Sequence, residues 1–151
     1  MTDIDHRLMV APFLRVQHES CGQPPVQVWD LRICQPNVST VDFRVLHSLE
    51  HFLSTSLRAM SDAVVAVAPL GCQTGLYIVT ARTVSFDEIA GLIADSLASI
   101  LLAEAVPLAD ISNCGAADNH SLSGAKVLAE WLLRRRAEWH EDGVSALGGA
   151  P

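Results

Sequence analysis

The chain has 151 residues, half of them hydrophobic, and a formal net charge of −7. This length suits one domain with a proper core. The acidic balance argues against a nucleic-acid-binding protein, which would normally show a basic footprint. The one basic run, residues 134–136, is predicted to lie near a helix end, where cations complement the helix dipole. The rich apolar content is consistent with a surface that faces a second subunit.

The sequence shows no recognisable targeting segment, and this, together with its cysteine usage, predicts a cytoplasmic protein that is not membrane-bound. The N-terminal stretch MTDIDHRLMV is acidic and has no apolar segment typical of a signal peptide. The longest apolar run, AVVAVAPLG, is too short to span a bilayer. The four cysteines are scattered without a CxxC pair. In a cytosolic chain this favours buried, catalytic or metal-bound thiols over disulfides.

The first predicted elements are a strand over 26–34 and a helix over 43–60. The strand segment VQVWDLRIC is rich in Val, Ile and Trp, and Pro36 and Asn37 end it with a turn. In the next segment the apolar residues recur at helical spacing, with no Gly or Pro inside the run. These apolar positions are Val45, Leu46, Leu49, Phe52, Leu53 and Leu57.

Two apolar strands follow, over 63–69 and 75–82, joined by a tight loop in which Gly71 and Gly75 permit unusual backbone angles. A second helix is predicted over 85–105, with Ser85 as N-cap and Glu88 completing a capping box. A third is predicted over 120–139, with Ser121 as the cap.

The element pattern predicts an α+β fold: a single domain with an antiparallel sheet packed against helices. No internal repeat or linker divides the chain. The predicted domain covers 1–142, and the aperiodic residues 143–151 are predicted to form a flexible C-terminal tail.

The helix over 43–60 carries a possible metal site in the segment VLHSLEHFLS. His47 and His51 are four residues apart and therefore lie on one helical face, one turn apart, where two imidazoles can converge on one ion. Glu50 lies close enough to act as a base, and the pattern is H-x-x-E-H, the inverted metallopeptidase motif. The alternative is a solvated polar face. Because the flanking residues are apolar, the helix is mostly buried, and buried polar groups need partners.

Cysteines supply the candidates for the remaining chemistry. Cys114 in NCGAADNH is the candidate third ligand, and two histidines with one thiolate would leave a fourth tetrahedral position open, as a catalytic site requires. A peptidase is a weaker alternative, since the known inverted peptidases are much larger and use a downstream glutamate. Cys72, in a glycine-flanked loop, is either a reactive thiol or a buried structural one. Cys34 closes a strand and is interpreted as structural.

Five motifs in order give the chain a resemblance to a known family. They are DHRLMVAPFLR, DLRICQPN, HSLEHFL, PLGCQTGLYIV and NCGAADNHSLSGAK. Together they make the chain similar, over nearly its whole length, to the S-ribosylhomocysteine lyases, the LuxS family of autoinducer-2 synthases.

The resemblance implies a role for each of several residues. His47, His51 and Cys114 match metal ligands, and Glu50 and Cys72 match the acid/base pair. The positions that match the substrate pocket are His6, Arg32 and Arg58. The family also implies a homodimer with two sites at the subunit interface, so that His6 and Arg32 would serve a site whose metal belongs to the other chain.

The family's reaction is a metal-dependent, non-redox cleavage of a thioether. Its metal is Fe(II), which zinc or cobalt often replaces, one ion per chain; a His₂Cys site accepts any of these. The ion acts as a Lewis acid on the open-chain sugar. Cys72 would move protons on carbon, Glu50 would move them between oxygens, and β-elimination would release homocysteine and 4,5-dihydroxy-2,3-pentanedione, the autoinducer-2 precursor. Both roles need groups with a pKa near neutrality.

One segment departs from the family pattern. Ala66 and Ala68 lie where the family has a polar Asp-Ile-Ser stretch, whose aspartate helps to hold the amino-acid end of homocysteine. Either another residue replaces this contact, or the protein is a related isomerase or lyase that acts on a different thioether or sugar conjugate. A non-catalytic metal-binding module would need neither Glu50 nor Cys72.

Overall fold

The computed structural model describes residues 5–139, so the predicted C-terminal tail, 143–151, lies outside the described residues. Its elements are β1 (Phe13–Glu19), β2 (Gln27–Arg32), α1 (Phe43–Met60), β3 (Val64–Pro69), β4 (Gly75–Thr80), α2 (Phe86–Leu102), α3 (Leu122–Arg134) and a short 3₁₀ turn (Arg136–Glu138). These elements confirm the α+β prediction, and β1 is an additional strand that the sequence did not predict.

The four strands form one antiparallel sheet in the order β1-β2-β4-β3. Gly75 begins β4 directly opposite Arg32 of β2. A Cβ added at Gly75 would lie 2.2 Å from the Leu31 carbonyl oxygen, so only glycine allows the two strands to come this close. This close pairing places the β3–β4 loop, which carries Cys72, beside the end of β2.

The helices pack together and against the sheet, and they enclose one hydrophobic core. Helix α1 packs against β3, α2 and α3, while α2 also contacts β1. Among the core side chains with no exposed surface are Leu46, Leu49, Leu53, Leu57, Leu76, Ile78, Ile89 and Ile93. In α1 the fully buried leucines recur three and four residues apart. One face of the helix therefore packs in the core, and the neighbouring face is available for polar residues.

The helix ends mostly follow the sequence signals. The Ser85 hydroxyl accepts the Glu88 N–H at 3.2 Å, as predicted for an N-cap. The Glu88 carboxylate instead pairs with Arg82 at 2.7 Å, so the capping box is not closed. Ser121 caps α3, as predicted, by accepting the N–H of Gly124. The helix ends at Arg134, and a 3₁₀ turn follows where the periodicity had predicted continued helix.

All four cysteines are free thiols; Cys21 and Cys72 are exposed, and Cys34 and Cys114 are partly buried. Within residues 5–139, no helix combines the length and the apolar character needed to cross a bilayer.

Candidate active site

Four side chains with soft or nitrogen donors converge beside the N-terminal half of α1. His47 and His51 come from α1, and Cys114 and His120 come from the connection between α2 and α3. One ligand atom from each residue lies within 4.8 Å of the corresponding atoms of the other three. This His/Cys cluster brings together the three predicted ligands and adds a fourth side chain.

Backbone carbonyls orient the two helical histidines. Nδ1 of His47 lies 2.9 Å from the Asn119 carbonyl oxygen, and Nδ1 of His51 lies 2.8 Å from the Pro107 carbonyl oxygen. A carbonyl can only accept, so each Nδ1 carries the proton and donates it. In a neutral ring Nε2 then keeps its lone pair, the arrangement that metal-binding histidines show.

His120 is oriented in a similar way by a buried hydroxyl. Ser48 Oγ donates its proton to the Arg44 carbonyl at 2.8 Å and accepts the Ser121 N–H at 2.8 Å. At 3.2 Å from the same oxygen, Nδ1 of His120 must then be the donor. Its Nε2 is left unprotonated, 3.5 Å from Cys114 Sγ.

The sequence did not identify His120 as a member of this cluster. The predicted third helix starts at this residue, whereas the helix itself begins at Leu122. Its spacing of six residues from Cys114 was the only local signal, and it is too irregular to predict a ligand. Burial first, and then the neighbouring His47 and His51, lower the pKa of His120 and favour its neutral form.

The donor set of the cluster fits a divalent transition metal. Imidazole nitrogens and one thiol suit Zn and Fe(II) better than they suit Mg or Ca, which prefer oxygen. The three oriented imidazoles meet the usual condition that the ring nitrogen opposite the metal is hydrogen-bonded. Cys114 Sγ also lies 3.5 Å from His47 Nε2, close to the spacing of two ligands on one tetrahedral ion.

Glu50 lies at the edge of the cluster. Its Oε2 is 3.8 Å from His51 Nε2, and the side chain is mostly shielded from solvent. Burial raises the pKa of the Glu50 carboxyl, while the nearby His51 and His47 oppose part of the rise. A carboxyl with a raised pKa beside a metal-competent cluster is suited both to take and to give a proton.

Cys72 belongs to a second region, a cavity of about 450 Å³ at the β3–β4 loop. The lining residues are His6, Pro36, Asn37, Val38, Ser39, Thr40, Cys72 and Thr74. The cavity thus brings together predicted catalytic Cys72 and predicted substrate-binding His6. We call it the Cys72 cavity.

A buried ion pair contacts Thr74, one of the residues that line this cavity. Arg32 binds Asp30 through Nε at 3.1 Å and through its second terminal nitrogen at 2.6 Å, and both side chains are almost fully buried. The remaining terminal nitrogen of Arg32 donates to Thr74 Oγ1 at 2.8 Å, and Thr74 Oγ1 lies 3.0 Å from Cys72 Sγ. Burial alone would raise the pKa of the Cys72 thiol, but the hydrogen bonds with Thr74 and the charge of Arg32 outweigh it and lower the pKa overall.

The two regions do not share lining residues within one chain. For the part of the chain that the structure describes, none of the four cluster residues lines the Cys72 cavity. Arg58, a predicted substrate contact, is exposed in the last turn of α1, about 10 Å along the helix axis from His51. Its role stays a prediction.

The fold and the cluster define a small α+β protein with a metal-competent His/Cys site. A family model described as S-ribosylhomocysteinase (LuxS) matches residues 2–143. The chain therefore belongs to this family, and the resemblance identified from the sequence motifs is confirmed.

Curated relatives agree with this assignment over nearly the whole chain. The S-ribosylhomocysteine lyase of Staphylococcus saprophyticus is 37% identical over 92% of this chain and 90% of the relative. That of Dichelobacter nodosus is 38% identical over 92% of both chains. That of Staphylococcus aureus strain JH9 is 38% identical over 92% of this chain and 90% of the relative. These relatives are carbon–sulfur lyases by name, and the prediction of an enzyme of this class is confirmed.

Proposed function

We propose that the chain cleaves the thioether of S-ribosylhomocysteine, releasing homocysteine and 4,5-dihydroxy-2,3-pentanedione. The observation that carries this proposal is the convergence of His47, His51 and Cys114 with Glu50 beside them, in a chain of the S-ribosylhomocysteinase family. Cys72 supplies the second proton-transfer group.

A single divalent ion, Fe(II) or a zinc or cobalt substitute, would be held by His47, His51 and Cys114. When bound, it supplies Lewis acidity that polarises the sugar's carbonyl and hydroxyl oxygens. A catalytic site needs an open coordination position, so His120 is assigned as a neighbour of the ion rather than as a fourth permanent ligand. Its lone pair remains available to accept a proton or a hydrogen bond from bound substrate.

The chain's own groups then divide the proton transfers. Cys72 as thiolate removes a proton from a carbon next to the carbonyl and returns it to the neighbouring carbon, which moves the carbonyl from C1 to C2 and then to C3. Glu50 carries protons between the oxygens during these shifts. It finally takes the proton from C4, and a C4–C5 double bond forms as the C5–S bond breaks. The departing thiolate takes up a proton to give homocysteine, and the enol that remains tautomerises to the dione by gaining a proton at C5 and losing its hydroxyl proton.

We also propose that the working unit is a homodimer with shared sites at the interface. The separation of the Cys72 cavity from the His/Cys cluster supports this, because the reaction needs both groups around one substrate. Exposed apolar residues flank both regions. Val38, 78% exposed, lines the Cys72 cavity, and Ile111, 92% exposed, lines a surface cavity with Cys114. Such residues are suited to burial against a second subunit.

Incubating anaerobically purified protein with S-ribosylhomocysteine and titrating the released thiol tests the proposal. We expect stoichiometric thiol release by the wild type and none by Glu50→Gln or Cys72→Ala. A metal-loaded, folded wild type that releases no thiol would contradict the proposed substrate.

A related thioether is the second candidate substrate, and the observation that favours it is Ala66. This residue is exposed on the edge strand β3, opposite Val79, and its methyl group cannot bind an ammonium. We expect weak discrimination between the substrate and an analogue without the amino group, and improved discrimination in Ala66→Asp. Strong discrimination by the wild type, unchanged in Ala66→Asp, would show that another residue holds the amino group.

A further inference from the structure

Thr74 occupies a junction between a buried charge pair and the thiol of Cys72. The side chain is 2% exposed, and its hydroxyl contacts Arg32 on one side and Cys72 on the other. A hydroxyl has one proton to donate and two lone pairs with which to accept. The direction in which this proton points determines whether Thr74 stabilises the thiol or the thiolate form of Cys72.

The contact with Arg32 determines one of the hydrogen bonds of the Thr74 hydroxyl. A guanidinium has five N–H donors and no acceptor, so the 2.8 Å contact means that Thr74 Oγ1 accepts from Arg32. The hydroxyl proton then needs an acceptor of its own, because an unpaired buried donor is costly. Among residues 5–139, Cys72 Sγ is the one hydrogen-bonding partner of this oxygen that can accept, at 3.0 Å.

Asp30 fixes the position of Arg32 in turn. Both carboxylate oxygens bind the guanidinium, and the pair sits on β2 with both side chains at most 3% exposed. A planar guanidinium held at two points has little freedom to turn away from Thr74. The guanidinium therefore donates in two directions, to the Asp30 carboxylate and to the Thr74 hydroxyl, and the hydroxyl proton is left to point at the sulfur.

We propose that Thr74 is a positioning residue whose hydroxyl, held by Arg32, donates a hydrogen bond to Cys72 Sγ and keeps the sulfur as a thiolate aimed into the cavity. A hydrogen bond from a fixed donor favours the charged form of an acceptor. The proposal rests on the proposed function for the use made of the thiolate, but the hydrogen bond can be measured without substrate.

The test is the rate of alkylation of Cys72 by iodoacetamide as a function of pH, in the metal-loaded protein. Trypsin releases residues 59–82 as one peptide in which Cys72 is the sole cysteine, so mass spectrometry reads this site alone. Thr74→Val keeps the shape and removes the donor; Thr74→Ser restores it. The charged or titratable groups near the sulfur are Arg32 with Asp30 behind it and His6 across the cavity, and all three are the same in these variants.

We expect Thr74→Val to be alkylated about tenfold more slowly than the wild type near pH 6, because it loses a hydrogen bond to a charged acceptor. Near pH 10, where the thiol is ionised in both proteins, the rates should converge. Thr74→Ser should follow the wild type. Thr80→Val is the matched control, since it removes a buried hydroxyl at the far end of β4 that contacts the Arg82 carbonyl and not Cys72. Its alkylation profile should not change.

An identical profile for Thr74→Val and wild type would overturn the proposal, as would a Thr74→Ser profile equal to that of Thr74→Val. If Thr74→Val does not fold, Thr74→Ala gives the same comparison, and an unchanged alkylation rate in it would equally overturn the proposal. A wild type that shows the Thr74 effect but releases no thiol from S-ribosylhomocysteine would contradict the proposed function and leave this inference standing.

Discussion

The two reactive regions of this chain are held in place by different interactions. Neutral groups orient the His/Cys cluster: two backbone carbonyls and the Ser48 hydroxyl. A buried ion pair and Thr74 orient Cys72. The cluster should therefore lose function by losing a ligand without unfolding, whereas changes behind Cys72 should also affect the stability of the sheet.

The largest expected effect is on metal binding. Cys114→Ala should lower metal affinity by more than about 100-fold, since loss of a ligand exceeds the effect usual for outer-sphere partners. His120→Ala should keep close to one equivalent of metal, because His120 is assigned as a neighbour of the ion. Metal content after dialysis, measured by atomic emission spectrometry, checks both.

The His120 variant decides between two forms of the cluster. If His120→Ala loses its metal as fully as Cys114→Ala does, the cluster is a closed four-ligand site. Closed sites are typical of structural metals, and the open-position assignment would then be wrong.

The separation of the two regions predicts complementation between inactive chains. Co-expressed Cys72→Ala and Cys114→Ala chains should form heterodimers with one intact and one doubly defective site, and therefore about half of the wild-type activity per dimer. Thiol release by purified heterodimers carrying two different affinity tags measures this.

The matched control combines two changes in the same region. Heterodimers of His47→Ala and Cys114→Ala have a defective cluster in every site and should stay inactive. Inactivity of the first pair, with heterodimer formation verified, would mean that the Cys72 cavity and the cluster of one chain serve the same site.

Sequence reasoning succeeded where signals were local. The 3.6-residue periodicity gave the bounds of α1, and the i, i+4 spacing of His47 and His51 gave two members of the cluster. Strand β1 was missed because Arg15, Gln17 and His18 interrupt its apolar pattern. Pairing with β2 stabilises this strand, and the sequence of β1 alone contains no signal of that pairing.

Longer-range relations were not predictable from the pattern. Arg32 and Thr74 are 42 residues apart, and only the close pairing of β2 with β4 at Gly75 brings them together. His120 reaches the cluster because Ser48 holds it, across 72 residues. Neither contact has a signature in spacing or composition.

Asp30→Asn should be the most damaging change behind the Cys72 cavity. It leaves the Arg32 charge buried without a counter-charge, and breaking a buried pair in this way costs about 3 kcal/mol or more. Urea unfolding of metal-loaded protein measures the loss. Glu130→Gln, which removes an exposed ion pair with Arg134, is the control and should cost less than about 0.5 kcal/mol. Equal losses would mean that the buried pair contributes no more than a surface pair.

Gly75→Ala should cost somewhat less, about 2 kcal/mol, because the added methyl group meets the backbone of β2 and the strands must move apart. Gly71→Ala, in the β3–β4 loop that precedes this strand, is the matched control. Apart from its two chain neighbours, no atom of residues 5–139 lies within 4 Å of a Cβ added there, so the stability of this variant should change little. We also expect Gly75→Ala to weaken the contact between Arg32 and Thr74. Wild-type stability in Gly75→Ala would contradict the tight strand pairing described for β2 and β4.

The smallest expected effect concerns Ser48, which orients His120 without being a candidate ligand. Ser48→Ala removes the acceptor of the Ser121 N–H and of His120 Nδ1, and should cost about 1 kcal/mol of stability. Metal affinity should fall by no more than about tenfold, the lower end of the range for outer-sphere partners, because the three assigned ligands keep their own hydrogen bonds. Competition with a chelator of known affinity measures the change in metal affinity. Ser56→Ala is the control, because it removes another α1 hydroxyl that donates to a backbone carbonyl one turn back, that of Phe52. If Ser48→Ala instead lowers the metal affinity as much as Cys114→Ala does, His120 is bound to the ion. The interactions that hold the His/Cys cluster and the Cys72 cavity would then differ less than the hydrogen bonds indicate.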